Sequence, residues 1–225
     1  MTRTCQDRRD GPLAPRAGRP VLDLHEGHEL WSPRGTALRA VTIEFMTRRG
    51  LLIIDMQEGL VPGAWRGEEL ADRIGKLAEL ARRSGAPIVA VQQTGAPGTE
   101  HDPEAAGWQL SRGLRLEDDD IRVSKTSPDS FFGTDLAQIL GDKGVDTVVV
   151  TGLATDICVD TTVRSALRAG FDVDLVSDGH SPSKDGDPGA GMSPDQVVAH
   201  HNGILGRLGY PGRHIRLMEA SEVSF

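Results

Sequence analysis

Three side chains that could do chemistry together stand at the ends of short apolar runs. "LLIID" delivers Asp55, "IRVSK" delivers Lys125, and "VVVTGLATDIC" leads through a glycine-containing loop to Cys158. A carboxylate, an ammonium and a thiol are the parts of a nucleophilic acyl-transfer centre. A thiol of ordinary pKa is mostly protonated near neutrality while the thiolate is the nucleophile, so a base, a cation or a helix N-terminus must help to form it. Asp55 could take the thiol proton and later return it to a leaving amine. Lys125 would keep that carboxylate ionised and oriented. Taken singly, each residue has a plainer reading: an Asp capping a turn, a solvated lysine, and a cysteine that packs, free cysteine being among the most buried residue types.

A parallel sheet would bring the three together. From Gly50 onward, runs rich in Val, Ile and Leu alternate with amphipathic stretches, the pattern of βαβ units covered on both faces. The fold class expected is α/β, a three-layer Rossmann-like arrangement with a mainly parallel six-stranded sheet flanked by helices. Strands are expected at 51–54, 88–91, 121–123, 147–151, 173–176 and 214–218. Helices follow in "EELADRIGKLAELARRSG", "GTDLAQILGDKG" with Thr134 as N-cap, "DICVDTTVRSALRAG" ending at Gly170, and "SPDQVVAHHNGILGRLG" with a capping box of Ser193 and Gln196. Open parallel sheets bind ligands beyond the carboxyl ends of their strands, and all three reactive residues fall there. If the strand order is 3-2-1-4-5-6, Lys125 leaves an edge strand and must reach across toward Asp55, with its loop folded inward.

Bulk properties exclude several functions. With 25 Lys and Arg against 33 Asp and Glu, and a formal net charge of -8, the chain is poorly suited to tracking phosphates, so a nucleic-acid partner is not expected and small molecules are. No apolar run approaches the roughly 20 residues of a membrane span, and no signal-like apolar segment opens the sequence. A cytoplasmic location with no membrane partner is expected. Two cysteines, Cys5 and Cys158, make a poor disulfide framework. Residues 1–45, rich in Arg, Pro and Gly, read as an N-terminal extension, either disordered or docking on a neighbour, ahead of a domain at 46–225.

The stretch from about Gly50 to Leu208 resembles the isochorismatase-like cysteine hydrolases, a superfamily that includes nicotinamidases and other amidases. The resemblance rests on "LLIIDMQ", "VSKTSPDSFFGTDL", "VVVTGLATDICVDTTVRSALRAGFDVDLVSDGH" and "SPDQVVAHHNGIL". It implies a catalytic triad of Asp55, Lys125 and Cys158, acting through a thioester that water hydrolyses. It also implies a cis peptide between Leu153 and Ala154 that turns the Ala154 amide, together with the Cys158 amide, toward a developing oxyanion. A homodimer or higher homo-oligomer is implied as well. Nicotinamidases usually add a metal-binding D-x-H and a further histidine after the first strand, but "MQEGLVPGAWRGEELADRIGKL" has no histidine. No metal and no other cofactor is therefore expected, and His101 beside Asp102 falls far short of a zinc constellation. Isochorismatases proper cleave a vinyl ether and commonly lack a cysteine at the position of Cys158. The cysteine thus favours a small-molecule amide substrate, and "AAGWQL" and "HHN" look most like the streptothricin hydrolase-like group. Vinyl-ether hydrolysis and a non-catalytic α/β binding module remain the alternatives.

Substrate contacts are less determined by sequence. Trp108, Phe131 and Phe132 flank the third strand and form either an apolar pocket wall or ordinary core. Gln57 and Thr155 lie beside two triad positions and either bond a substrate carbonyl or support Asp55. His180 also falls at the functional rim, where stabilising a loop is an equal reading.

Overall fold

The computed structural model describes residues 48–225, so the extension at 1–45, with Cys5, and Met46 lie outside the described residues. Six strands form one sheet: β1 (Arg49–Ile54), β2 (Ile88–Gln93), β3 (Ile121–Lys125), β4 (Thr147–Leu153), β5 (Asp172–Ser181) and β6 (Ile215–Met218). The order is β3-β2-β1-β4-β5-β6, and every pairing is parallel. Helices α1 (Gly67–Arg83), α2 (Leu136–Asp142), α3 (Asp160–Ala169) and α4 (Pro194–Leu205) complete the layers.

The central strand is apolar along its length because both of its faces are covered. Alternation along β1 sends Leu51 and Ile53 to one side, where they meet Leu70, Ile74, Leu77 and Ala81 of α1. Leu52 and Ile54 go to the other side, against Leu136 and Leu140 of α2 and Val163, Ala166 and Leu167 of α3. Helix ends follow local chemistry. Gly170 terminates α3 with a φ of 92°, and the Gln196 side chain accepts from the Ser193 backbone N–H at 3.0 Å to open α4. The start of α2 differs from expectation, since the residue preceding its first turn is Asp135 rather than Thr134. The Thr134 hydroxyl donates to the Ser130 carbonyl at 2.6 Å, and its weaker acceptance from the Leu136 N–H at 3.3 Å leaves it one position early.

Strand β5 runs five residues past its expected end. The β4–β5 register shifts between Val150 and Gly152, so that Gly152 pairs with His180 and Leu153 with Ser181. "SDGHS" is polar and glycine-bearing and reads as a loop, yet this bulge lets the strand continue alongside β4. Gly152 has a φ of 122°, and a β-carbon there would collide with the backbone oxygen of Ile54. Only glycine allows β4 to press this closely on β1 immediately before the loop that carries Cys158.

At the other end of the sheet, Asp174 of β5 is buried and takes three hydrogen bonds from two guanidiniums. Arg49 Nε lies 2.8 Å away, and Arg216 Nε and Nη2 lie at 3.0 and 2.9 Å. This network ties β1, β5 and β6 together far from the strand ends that hold the reactive residues. Among the described residues, no helix is long and apolar enough to cross a membrane.

Gly152→Ala should lower stability by about 2 kcal/mol or more, through backbone conflict rather than lost burial. It should also disturb Cys158 labelling, because β4 feeds directly into that loop. Chemical denaturation together with thiol labelling checks both effects, and a variant of wild-type stability would show that the approach to Ile54 is dispensable.

Candidate active site

Each reactive residue is delivered by the end of a strand or the turn just beyond it. Asp55 follows β1, is 2% exposed, and adopts a left-handed backbone with a φ of 53°. Its N–H donates to the Val91 carbonyl at 2.9 Å, which fixes the turn against β2. Lys125 ends the edge strand β3 and is 1% exposed. Its stem spans β2 to place Nζ 2.7 Å from Asp55 Oδ2, 3.0 Å from Gln93 Oε1, 3.0 Å from the Ser127 carbonyl and 3.2 Å from Cys158 Sγ. Acceptance by Ser127 shows how the loop after β3 folds inward over the site.

Cys158 is half-buried in a single π-turn, Thr155–Val159, that precedes α3. The Ala154 carbonyl anchors that turn, accepting from Ile157 N–H at 3.2 Å and Val159 N–H at 3.0 Å. The Leu153–Ala154 peptide is cis. The Ala154 N–H makes no hydrogen bond among the described residues.

Electrostatics place a proton on the thiol. Burial and then the neighbouring Asp55 carboxylate raise Cys158 from 9.0 to about 11, against the opposing pull of Lys125. Burial also raises Asp55 above the ordinary carboxylate value, and Lys125 works against that rise. A resting thiolate made by the lysine and the helix start alone is therefore not the arrangement found. The ammonium is shared with Asp55, whose charge resists ionisation of the sulfur. Asp55 Oδ1 is buried and has no hydrogen-bond partner, which leaves one carboxylate oxygen open to receive a proton.

A cavity of about 370 Å³ opens on this cluster. Asp55, Cys158, Ala154, Gln93, His101 and Ser183 contribute to it, and the rest of its lining is Leu60, Gly63, Ala64, Pro128, Leu153, Ile157 and Pro182. None of the five residues weighed as substrate contacts lines it. Gln57 gives all its polar atoms to the backbone: Nε2 donates to Gln93 O at 3.2 Å and Trp108 O at 3.0 Å, and Oε1 accepts from Gln93 N–H at 2.8 Å. Trp108 donates its indole N–H to Thr94 Oγ1 at 3.1 Å and lines a separate cavity beside Gln92 and Ser124. Phe131 stacks on Phe171 in the core, with ring centroids 5.9 Å apart. Phe132 is 68% exposed.

Thr155 is buried and belongs to a polar tether. Its hydroxyl lies 2.9 Å from His180 Nδ1, His180 Nε2 lies 3.0 Å from Asn202 Oδ1, and Asn202 Nδ2 donates to Ser177 O at 2.9 Å. Because Asn202 gives its amide hydrogens to Ser177, its oxygen accepts from His180 Nε2–H, and Nδ1 is left to accept from Thr155. Burial lowers His180 to about 4, so the ring is neutral and holds the cysteine-bearing turn to α4.

Sequence reasoning missed Gln93 and the aliphatic wall, and weighed His101 only as a metal ligand. Gln93 closes β2 on the same rim as Asp55 and Lys125, so the strand-end rule that found those two also points to it. His101 sits in the long connection between β2 and β3, where no periodicity marks which side chains turn inward.

Iodoacetamide labelling of the Cys158 peptide should climb through pH 9.5 without a plateau. Asp55→Asn removes a charge that raises the thiol and leaves Lys125 in place, so its inflection should move to lower pH and labelling at pH 8 should be faster than in the wild type. A wild-type inflection at or below 9.0 would contradict this charge balance.

With this geometry in view, the similarities to known proteins have a structural meaning. The Isochorismatase domain matches residues 49–192, which run from β1 through the loop after β5. Isochorismatase family protein YecD of Escherichia coli O157:H7 is 34% identical over 144 residues, covering 57% of this chain and 77% of that protein. Streptothricin hydrolase of Streptomyces noursei is 34% identical over 154 residues; the match covers 67% of this chain but only 58% of that enzyme. The crystal structure of an isochorismatase from Pseudomonas putida KT2440 superposes with a TM-score of 0.71 at 25% identity, covering 79% of this chain and 90% of the other. The domain match spans more than half of the sequence and contains all three strand-end residues, and the chain belongs to the isochorismatase family of hydrolases.

Proposed function

We propose that the protein hydrolyses a C–N bond of a small amide through a covalent thioester on Cys158. The observation that carries this reading is the Lys125 ammonium, 2.7 Å from Asp55 and 3.2 Å from the Cys158 sulfur, beside a carboxylate oxygen that has no partner. Similarity to a streptothricin hydrolase supports hydrolytic chemistry of this kind.

In the first half-reaction, Sγ attacks the amide carbonyl carbon while its proton passes to Asp55 Oδ1. The carbonyl π electrons move to oxygen, and the unengaged Ala154 N–H, with the Cys158 N–H, receives that oxyanion. When the tetrahedral species collapses, the C–N bond breaks and Asp55 returns the proton to the leaving nitrogen, so an amine or ammonia departs. In the second half-reaction, Asp55 deprotonates a water that attacks the thioester carbonyl. The acid leaves and the proton returns to sulfur. Lys125 stays protonated throughout, and the raised thiol suits this cycle because deprotonation is then coupled to attack.

Cys158→Ala should lower turnover by at least about 10³-fold with little change in stability, and Asp55→Asn by about 10² to 10⁴-fold. Release of ammonia or amine from a set of small primary, cyclic and ureido amides measures both, and acid quenching followed by intact mass measurement should trap the acyl-enzyme in the wild type alone. Undiminished turnover by Cys158→Ala would overturn the mechanism and point to a thiol-independent reaction such as vinyl-ether cleavage.

A further inference from the structure

We infer that the cavity takes an uncharged amide with a compact aliphatic body and turns away amides bearing a carboxylate on that body. This rests on Cys158 being the nucleophile and goes beyond it to the chemistry of the substrate.

The walls carry the first part of the inference. Leu60, Ala64, Pro128, Leu153, Ile157 and Pro182 surround the approach to the sulfur and offer CH surface with no side-chain hydrogen bond to give, and Ser183 adds a single hydroxyl to this largely aliphatic lining. Phe131, Phe132 and Trp108 point elsewhere, so among the described residues no Phe, Tyr or Trp ring is available for a flat aromatic body to stack on. At about 370 Å³ the space is near the lower end of ligand cavities, which suits a small molecule.

The second part follows from the charges. Lys125 is the cation nearest the sulfur, and its ammonium already has four acceptors: Asp55, Gln93, Ser127 and Cys158. Paired with Asp55 it adds no net positive charge to the cavity. Gln93 Oε1 is held by Lys125, and the His101 imidazole leans toward Glu100, with 3.5 Å between Nε2 and Oε1. Among the described lining residues no arginine or second lysine is present. A substrate carboxylate would have to shed its water against largely aliphatic walls, close to the Asp55 carboxylate, with no free lysine or arginine among the described lining residues to receive it. Uncompensated burial of a charge is the costliest contact such a cavity can offer. A neutral amide loses little water there and gains apolar contact.

Two alkylating agents that share one leaving group separate these cases without knowledge of the natural substrate. Iodoacetamide is a neutral amide and iodoacetate is its carboxylate counterpart. Rates of modification of the Cys158 peptide should favour iodoacetamide in the folded protein by about tenfold more than in the urea-denatured chain, which serves as the internal reference for intrinsic reactivity. Ile157 is 52% exposed at the cavity, so Ile157→Arg should fold, add a free cation at the entrance and collapse most of that preference. A folded-state ratio equal to the denatured one, or tilted toward iodoacetate, would overturn the inference, as would an unchanged ratio in a folded Ile157→Arg. Failure of the underlying mechanism looks different: Cys158→Ala would then retain turnover whatever the alkylation ratio.

Discussion

A buried ammonium holds the site together. Lys125 is 1% exposed, and a charge so far from water is tolerable only when its neighbours replace the lost hydration. Four do so, each from a different place: Asp55 beyond β1, Gln93 at the end of β2, Ser127 in the loop after β3, and Cys158 in the π-turn before α3. Gln93 is also held by the β2–β3 ladder and Cys158 by its π-turn, and the cation ties these two to Asp55 and to the loop at Ser127. The strand order makes this costly connection necessary. With β2 between β1 and β3, only a side chain as long as lysine can start on the edge strand and reach the central one.

The same arrangement governs where the proton rests. A thiol beside a lone lysine would ionise readily, but here the lysine is neutralised by Asp55, and burial penalises any further negative charge. The sulfur consequently keeps its proton, with a pKa near 11, in a cluster where one carboxylate oxygen is left without a partner. In the proposed reaction this keeps the nucleophile dormant until a carbonyl is present to accept electrons from it. Such a centre does not depend on a free cation to attract substrate. Selection among substrates therefore falls to the walls.

The sheet was largely legible from apolar runs, because a strand buried on both faces must be apolar throughout. The rim followed from it: Asp55, Lys125 and the approach to Cys158 could be placed at one edge from their positions after those runs. Loop side chains were not legible in the same way. Gln57 stands two residues from Asp55 and looks available to a substrate, yet its amide closes hydrogen bonds with Gln93 and Trp108 backbones contributed by segments far along the chain. Phe131 and Phe132 are adjacent in sequence, but one stacks on Phe171 and the other faces outward. "SDGHS" has a loop's composition and is a strand, because the bulge opposite Gly152 realigns it with β4. These outcomes depend on tertiary partners, and a single sequence carries no period that marks them.

The bulge also explains how a reactive turn is held without becoming part of the core. By extending β5 alongside the end of β4, it brings His180 opposite Gly152, where the ring bridges Thr155 and Asn202. The tether attaches to the turn at Thr155, and none of Thr155, His180 and Asn202 lines the cavity, so it restrains the backbone without occupying substrate space. A neutral imidazole is suited to this role. It donates at one nitrogen and accepts at the other, whereas a protonated ring would have two donors and would leave the Thr155 hydroxyl no acceptor. Burial keeps it neutral, and the cavity side of the turn is left to the sulfur, the Ala154 amide and aliphatic wall. Chemistry and restraint thus meet on one five-residue turn through different residues, Cys158 at the cavity and Thr155 at the tether.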